Sequence, residues 1–239
     1  MVAERPITPE IKQPRGTILV LTGPSAGVGK DTITDKLLKE TAISRIVTYT
    51  TRPPSRPTDK PGINYHFVSF QEFNQMKDNG EFLESNLLSG NWYGTAKRDV
   101  EAVLREGQNA LLVVDINGVK SIKNYLREES LRGNPALKDH FVFVAILPPN
   151  YEKWDLASRT LARRIFERQG KERKTMSRNE RHKEPRERLP LAKEEIEWLI
   201  QNRNSFDVFV VNERGKVDEA VEKILDVLKG KGVKLELKS

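Results

Sequence analysis

Three glycines followed by a lysine give the region around Lys30 the composition of a phosphate-binding loop. An apolar strand-like run, Thr17 to Thr22, precedes the glycines, and helical spacing of apolar residues follows the lysine. In such a strand–loop–helix unit, backbone N–H groups point at an anion, and the lysine reaches the β- and γ-phosphates of a nucleotide. The predicted contacts come from Gly23, Pro24, Ser25, Ala26, Gly27, Val28, Gly29, Lys30, Asp31 and Thr32.

Two features of this loop depart from the usual G-x-x-x-x-G-K-[ST] pattern. The first glycine would be expected at position 24, which is Pro24, so Gly23 stands one residue early. Asp31 occupies the position that normally holds the Mg²⁺-binding Ser or Thr, and Thr32 follows it. Because a carboxylate also binds Mg²⁺, we expect Asp31 and Thr32 to supply the metal ligands.

The 239 residues suffice for one domain with a sizeable core, and 37% hydrophobic residues at a mean hydropathy of −0.60 are typical of a soluble protein. No apolar run approaches the roughly 18 to 20 residues of a membrane span. The N-terminus has no apolar signal core, and the chain has no cysteine. We therefore expect a cytoplasmic protein without disulfides or a membrane partner.

The net charge of +7 is concentrated in one segment, residues 159 to 188, which holds twelve Lys or Arg and five Asp or Glu. Such a segment indicates either a phosphate-bearing ligand or a solvated charged helix. Gly170 and Pro185 are expected to divide it into helices. RNA binding is the weakest interpretation, because the segment lacks interleaved aromatic residues.

Apolar strand-like runs alternate with helical patterns along the chain, which favours a parallel sheet with right-handed crossovers. Strands are predicted at 17–22, 45–50, 64–68, 81–85, 87–94, 110–115, 141–147 and 207–212. Helices are predicted at 30–41, 69–79, 97–105, 119–126 and 217–228, and a proline-rich loop at 51–62.

Several motifs resemble, in order and spacing, those of the guanylate kinase family. They are Thr48-Tyr-Thr-Thr-Arg52, Asn64-Tyr-His-Phe67, Gly80-Glu-Phe-Leu-Glu84, Gly90-Asn-Trp-Tyr-Gly-Thr-Ala-Lys97, Asp115-Ile-Asn-Gly118 and Val210-Val-Asn212. The resemblance covers about residues 16 to 230. It implies a three-layer α/β fold of the P-loop class, with a parallel sheet between helices, a small subdomain for the nucleoside monophosphate, and an arginine-rich lid.

The resemblance also implies a division of the chain. The core would comprise 16–47, 97–155 and 190–239, the GMP-binding subdomain 48–96 and the lid 156–189, after a flexible arm at 1–15.

In the implied substrate site, Arg52, Arg56, Tyr65 and Tyr93 bind the phosphate of GMP. Planar guanidinium groups suit this because they donate two parallel hydrogen bonds. Ser55 is an insertion between the two arginines relative to the family pattern.

Glu84 and Asp115 are expected to recognise guanine, which presents N1–H and N2–H₂ as adjacent donors to an acceptor-only carboxylate. Adenine presents an acceptor there. Thr48 and Thr95 are expected at the remaining base edge.

The lid arginines implied by the resemblance are Arg164, Arg168 and Arg188, which would close over the phosphates and neutralise charge on the transferring group. Asn212 is expected near the adenine of ATP. The family often has an acidic residue two positions before Asp115, and this chain has Val113 there.

The sequence therefore predicts an ATP-dependent kinase that phosphorylates GMP and dGMP, with no nucleic-acid partner and an open oligomeric state. One alternative is a ribose 1,5-bisphosphate kinase-like enzyme, whose phosphate loop also carries Asp after the Lys; Glu84 and Asp115 argue against it. Another is a guanylate-kinase-like binding module that has lost catalysis. Such modules usually lose the phosphate loop, which this chain keeps.

Overall fold

The computed structural model describes residues 14–54, 59–63, 65–88, 90–172 and 178–238. The strands are β1 (Thr17–Thr22), β2 (Ser44–Arg45), β3 (Thr48–Thr50), β4 (Tyr65–Phe67), β5 (Phe82–Leu88), β6 (Asn91–Ala96), β7 (Asn109–Val113), β8 (Phe141–Leu147) and β9 (Val208–Val211). The helices are α1 (Lys30–Glu40), α2 (Phe70–Asp78), α3 (Lys97–Glu106), α4 (Ile116–Leu131), α5 (Trp154–Glu172), α6 (Arg178–Gln201) and α7 (Val217–Gly230), with short 3-10 helices at Pro135–His140 and Arg203–Ser205.

A five-stranded sheet has the order β2-β7-β1-β8-β9, so strands distant in sequence are neighbours. The β2–β7 and β8–β9 pairs are parallel, with Val144 opposite Val208 and Leu147 opposite Val211. All seven residues of β8 are buried, as expected of a strand covered on both faces. The alternation of strands and helices in the sequence therefore predicted the main sheet correctly.

A second sheet of four strands has the order β4-β3-β6-β5 and mixes parallel and antiparallel pairs. Tyr49, Phe82 and Trp92 of this sheet pack in one apolar cluster with Phe73 of α2. The α2 helix begins at the predicted cap, Ser69, which forms a capping box with Glu72 and so satisfies two backbone donors.

The chain forms two compact units. The first comprises the described parts of 1–19, 43–112 and 117–141, and the second comprises 20–42, 113–116 and the described parts of 142–239. In the second unit, α7 packs against α1 and β9, and α5 packs against α6. Among the described residues, no helix is long and apolar enough to cross a membrane.

The helix predicted at 119–126 is longer in the structure, where α4 spans Ile116–Leu131, and three further predicted elements differ from the structure. The single strand predicted at 45–50 is two strands, β2 and β3, which belong to different sheets. Leu87 and Leu88 continue β5 instead of opening the next strand, and the chain turns at Gly90, whose φ of +79° favours glycine.

The third difference concerns the basic segment. Its helical backbone passes through both Gly170 and Pro185, since α5 extends to Glu172 and α6 begins at Arg178. A proline removes one helical hydrogen bond and can kink a helix without ending it.

Candidate nucleotide site

The phosphate loop connects β1 to α1, and its backbone conformation depends on glycine at two positions. Gly27 and Gly29 have φ values of +56° and +87°, where a Cβ atom is disfavoured. A Cβ on Gly29 would also lie 2.2 Å from Asn212 Nδ2. Gly29 caps the N-terminus of α1, so the first-turn N–H groups of α1 and its positive dipole end lie next to the loop.

Lys30 lies at the start of α1 and turns back over the loop. Its ammonium group donates to the carbonyl oxygens of Gly23 at 2.7 Å and Pro24 at 3.1 Å. Burial lowers the pKa of Lys30, and the negative charges of Glu195, Asp31 and Asp115 oppose that shift. The loop therefore holds a desolvated cation over the anion-binding turn.

Glu195, on α6, binds the same loop, and sequence reasoning missed it. The Ser25 backbone N–H donates to Glu195 Oε2 at 2.7 Å, and the Ser25 hydroxyl donates to Oε1 at 2.5 Å. A signal for it existed, because Glu195 falls within the helical stripe of Ala192, Ile196 and Leu199, all buried. A carboxylate in an apolar stripe requires a partner.

Arg164, on α5, contacts the other side of the loop. Its Nη2 donates to the Asn212 carbonyl oxygen at 2.7 Å, and its Nη1 donates to the carbonyls of Val28 at 3.3 Å and Gly27 at 3.4 Å. Asn212 also donates from Nδ2 to Val28 O at 2.8 Å. Two residues predicted to contact ATP thus bind the phosphate loop itself.

The structure gives fewer contacts for the other two predicted lid arginines, Arg168 and Arg188. Arg188 lies on α6, and its positive charge acts on Lys30. Arg168 lies on α5, and its side chain is outside the described part of the structure. The predicted metal ligands, Asp31 and Thr32, are exposed in the first turn of α1.

In the first unit, three predicted phosphate-binding residues lie together. The Arg52 guanidinium lies over the Tyr65 ring, 5.5 Å from its centroid, and the Tyr65 and Tyr93 rings meet edge to face with centroids 6.0 Å apart. Arg52 also donates from both terminal nitrogens to the two oxygens of Asp59, each at 2.8 Å. This pair raises the pKa of Arg52. Arg56 lies outside the described residues.

Two predicted guanine-binding residues are paired on adjacent strands. Glu84 on β5 lies opposite Thr95 on β6, and the Thr95 hydroxyl donates to Glu84 Oε1 at 2.6 Å. Both side chains are buried, with Glu84 only 6% exposed. Thr48, on β3 of the same sheet, is also buried.

Asp115 belongs to the second unit, after β7, where its charge acts on Lys30 and Glu195. This carboxylate therefore has the phosphate-loop residues as its electrostatic neighbours.

A glycine-bearing loop that ends in a lysine and connects a strand of a parallel sheet to a helix is the phosphate-binding unit of P-loop nucleotide-binding proteins. The family model for guanylate kinase matches residues 15–132. The guanylate kinase of Clostridioides difficile is 34% identical over 219 residues, covering 91% of this chain and 90% of the relative. That of Thermus thermophilus is 31% identical over 218 residues, covering 91% and 82%. The chain belongs to the guanylate kinase family.

A solved structure agrees. The crystal structure of guanylate kinase from Anaplasma phagocytophilum superposes with a TM-score of 0.59 at 26% identity, covering 93% of this chain and 89% of that one. The predicted α/β fold with a parallel sheet flanked by helices is confirmed. The subdomain and lid boundaries remain predictions.

Proposed function

We infer that this chain transfers the γ-phosphoryl group of ATP to GMP, giving ADP and GDP, and we propose that it also accepts dGMP. The observation that carries this inference is a phosphate loop whose half-buried lysine turns back over it, in a chain that also holds the buried Glu84–Thr95 pair. Guanylate kinase relatives that align over nine-tenths of the chain support it.

The phosphate loop and Lys30 would bind the phosphates of ATP. Loop N–H groups and the α1 N-terminus supply donors, and Lys30 exchanges its carbonyl partners, Gly23 and Pro24, for phosphate oxygens. Arg164, Arg168 and Arg188 would add positive charge around the transferring group. Phosphoryl transfer needs no covalent intermediate, so the work of the protein is positioning and charge stabilisation.

The base of GMP would be read by acceptors. Glu84 keeps Oε1 engaged with Thr95, which fixes the carboxylate in one orientation, and its other oxygen suits a guanine N–H donor. Asp115 would accept the second donor, and Thr48 would meet the base edge. AMP places an acceptor opposite these oxygens, a mismatch that costs about 1–3 kcal/mol for each unpaired buried group.

The monophosphate would be held by Arg52, Arg56, Tyr65 and Tyr93, of which Arg52, Tyr65 and Tyr93 form one cluster. Mg²⁺ is expected with ATP, and Asp31 and Thr32 fit it because both present exposed oxygen atoms in the first turn of α1. When bound, the ion would neutralise phosphate charge.

The alternatives are not favoured. A sugar bisphosphate has no base edge, so a ribose-bisphosphate kinase would have no use for carboxylate acceptors that suit the N–H donors of a guanine. A binding module without catalysis would have no use for the glycine loop and a desolvated Lys30.

The test is turnover of purified protein with Mg-ATP and a panel of GMP, dGMP, AMP, CMP and UMP, with detection of the diphosphates. We expect GMP and dGMP to be used far better than AMP. E84Q and D115N should each lower kcat/KM for GMP by about ten- to hundredfold and narrow the GMP-to-AMP ratio, because an amide presents a donor where a carboxylate oxygen stood. E106Q, at an exposed position of α3, is the control.

Wild-type protein that binds GMP but shows no turnover would establish the binding module instead. If turnover occurs and GMP selectivity survives both substitutions, the kinase assignment stands and the base site is wrong.

A further inference from the structure

Glu195 is a buried carboxylate at the phosphate loop that none of the roles above uses. It is 8% exposed and lies on α6 between the buried side chains of Ala192, Ile196 and Leu199. Removing a carboxylate from water is costly unless strong donors replace the water. Here both of its oxygens accept bonds from one residue, Ser25, 170 positions away.

The two bonds fix the first half of the loop. Ser25 supplies its backbone N–H and its hydroxyl, so the carboxylate determines both the backbone orientation and the side-chain rotamer of that residue. Charge-assisted bonds of this kind are about twice as strong as neutral ones. Five residues separate Gly23 from Gly29, one more than between the glycines of the usual pattern, and a longer loop has more conformations to restrict.

The second half of the loop is fixed by an opposite charge. Arg164 binds the carbonyl oxygens of Gly27 and Val28, so an anion on α6 holds loop donors and a cation on α5 holds loop acceptors. Burial lowers the pKa of Lys30, and several nearby carboxylates raise it. Among these carboxylates, Glu195 has the largest effect. The carboxylate thereby favours the protonated form of the lysine that ATP requires.

We propose that Glu195 is a positioning residue of the phosphate transfer site, which holds Ser25 and the charge of Lys30 in the arrangement that binds the phosphates of ATP. It touches no substrate; it acts through the loop. Arg188 lies seven residues earlier on α6, two turns along the same helical face. One helix therefore carries both the loop anchor and a predicted lid arginine. This inference rests on the proposed kinase function.

The experiment compares E195A, E195Q, S25A and the double variant S25A/E195A with wild type, measuring KM for ATP, KM for GMP, kcat and calorimetric ADP affinity. E194Q is the matched control, since Glu194 is exposed on the same helix. We expect E195A to raise KM for ATP and weaken ADP binding about ten- to hundredfold, the loss of two charge-assisted bonds. The KM for GMP should stay within about twofold of the wild-type value, because the substitution should not affect an independent GMP site.

E195Q should show a smaller defect of the same kind, because the amide keeps one acceptor and loses the charge. S25A should add little in the E195A background, since the two residues act as one unit. If E195A does not fold, E195Q and S25A carry the test.

Unchanged ATP and ADP parameters in folded E195A or E195Q would overturn the proposal. Tighter ATP binding would overturn it too, because it would mean that the carboxylate competes with phosphate. An equal change in KM for GMP and KM for ATP would also overturn it, because it would show a general structural role instead of a role at the phosphate loop. Wild type without turnover contradicts the kinase function, whereas an active wild type with an unaffected E195A contradicts this inference alone.

Discussion

Several side chains predicted to bind nucleotides are already paired with other protein groups. Lys30 donates to two loop carbonyls, Arg52 is paired with Asp59, and Glu84 accepts from Thr95. Buried polar groups require partners in the absence of ligand. Such pairs also fix rotamers, so a substrate meets side chains whose orientations are largely set.

Substitution of Asp59 would test whether its pairing with Arg52 fixes the orientation of a side chain that is predicted to bind the substrate phosphate. The Arg52–Asp59 pair is well buried, with side chains 11% and 4% exposed, and its two parallel bonds fix the plane of the guanidinium. We expect D59N to raise KM for GMP about tenfold through loss of that orientation, and to leave KM for ATP unchanged. Steady-state kinetics with each substrate varied in turn would measure this.

D78N, at the exposed end of α2, is the control for the Asp59 variant. A lower KM for GMP in D59N would show instead that Asp59 competes with the substrate phosphate for Arg52. Such a result would refute the positioning role while leaving Arg52 in the site.

The kinds of residue in the site were predictable from sequence, and their partners were not. Lys30 follows glycines in a recognisable pattern, and Arg52 lies in a family motif. Glu195 and Asp59 have no comparable local pattern, because their roles depend on tertiary contacts; Ser25 and Glu195 are 170 residues apart. A charge within an apolar helical stripe was the only hint of Glu195.

At the scale of elements, several apolar segments were predicted well, whereas short strands and the full lengths of α4 and α6 were not. The β1 and β8 strands have their predicted bounds, and α7 begins where its apolar spacing begins. The strand predicted at 45–50 failed because Arg45 and Thr48 pair with different neighbours, β7 and β4. Pairing partners are not encoded in the alternation of side chains along one strand.

The junction between loop and α1 provides the element-scale prediction. G29A would place a Cβ 2.2 Å from Asn212 Nδ2 at a φ of +87°, so both the backbone and the neighbour must shift. We expect a loss of about 1–3 kcal/mol in the free energy of unfolding and a large loss of ADP affinity. Chemical denaturation and calorimetry would measure the two effects.

G230A is the matched glycine control, because Gly230 ends α7 with nothing within 4 Å of a built Cβ; alanine there should be neutral or slightly stabilising. A G29A protein with wild-type stability and ADP affinity would show that the loop tolerates another backbone conformation. The role assigned to the glycines would then be wrong.

For the whole molecule, the sequence predicted the fold class because strands and helices alternate and the family motifs occur in order. The relative order of the strands, β2-β7-β1-β8-β9, was beyond local patterns, since right-handed crossovers permit more than one arrangement. The unfavourable burial of Glu195 beside the phosphate loop was equally beyond local patterns, because it arises only when α6 packs against the loop.

That cost gives a prediction for the stability of the whole protein. Burial raises the pKa of Glu195 above its ordinary 4.5, and the negative charge of Asp115 raises it further. The hydrogen bonds from Ser25 and the positive charge of Lys30 lower it, but burial has the largest effect. A carboxyl whose pKa is raised in the folded state binds its proton more tightly there than in the unfolded chain. Its contribution to stability is therefore present below pH 4.5 and is lost as the pH rises through the folded-state pKa.

We therefore expect the free energy of unfolding of E195Q to increase relative to that of wild type as the pH rises above 4.5, because glutamine cannot ionise and wild type loses stability over that range. Denaturant unfolding of both proteins across the pH range, with E194Q as the control, would measure this. A wild type that instead gains stability over E195Q with rising pH would mean that Ser25 and Lys30 overcompensate for burial. If E195Q is more stable than wild type yet binds ATP less tightly, then Glu195 improves ATP binding and lowers the stability of the fold.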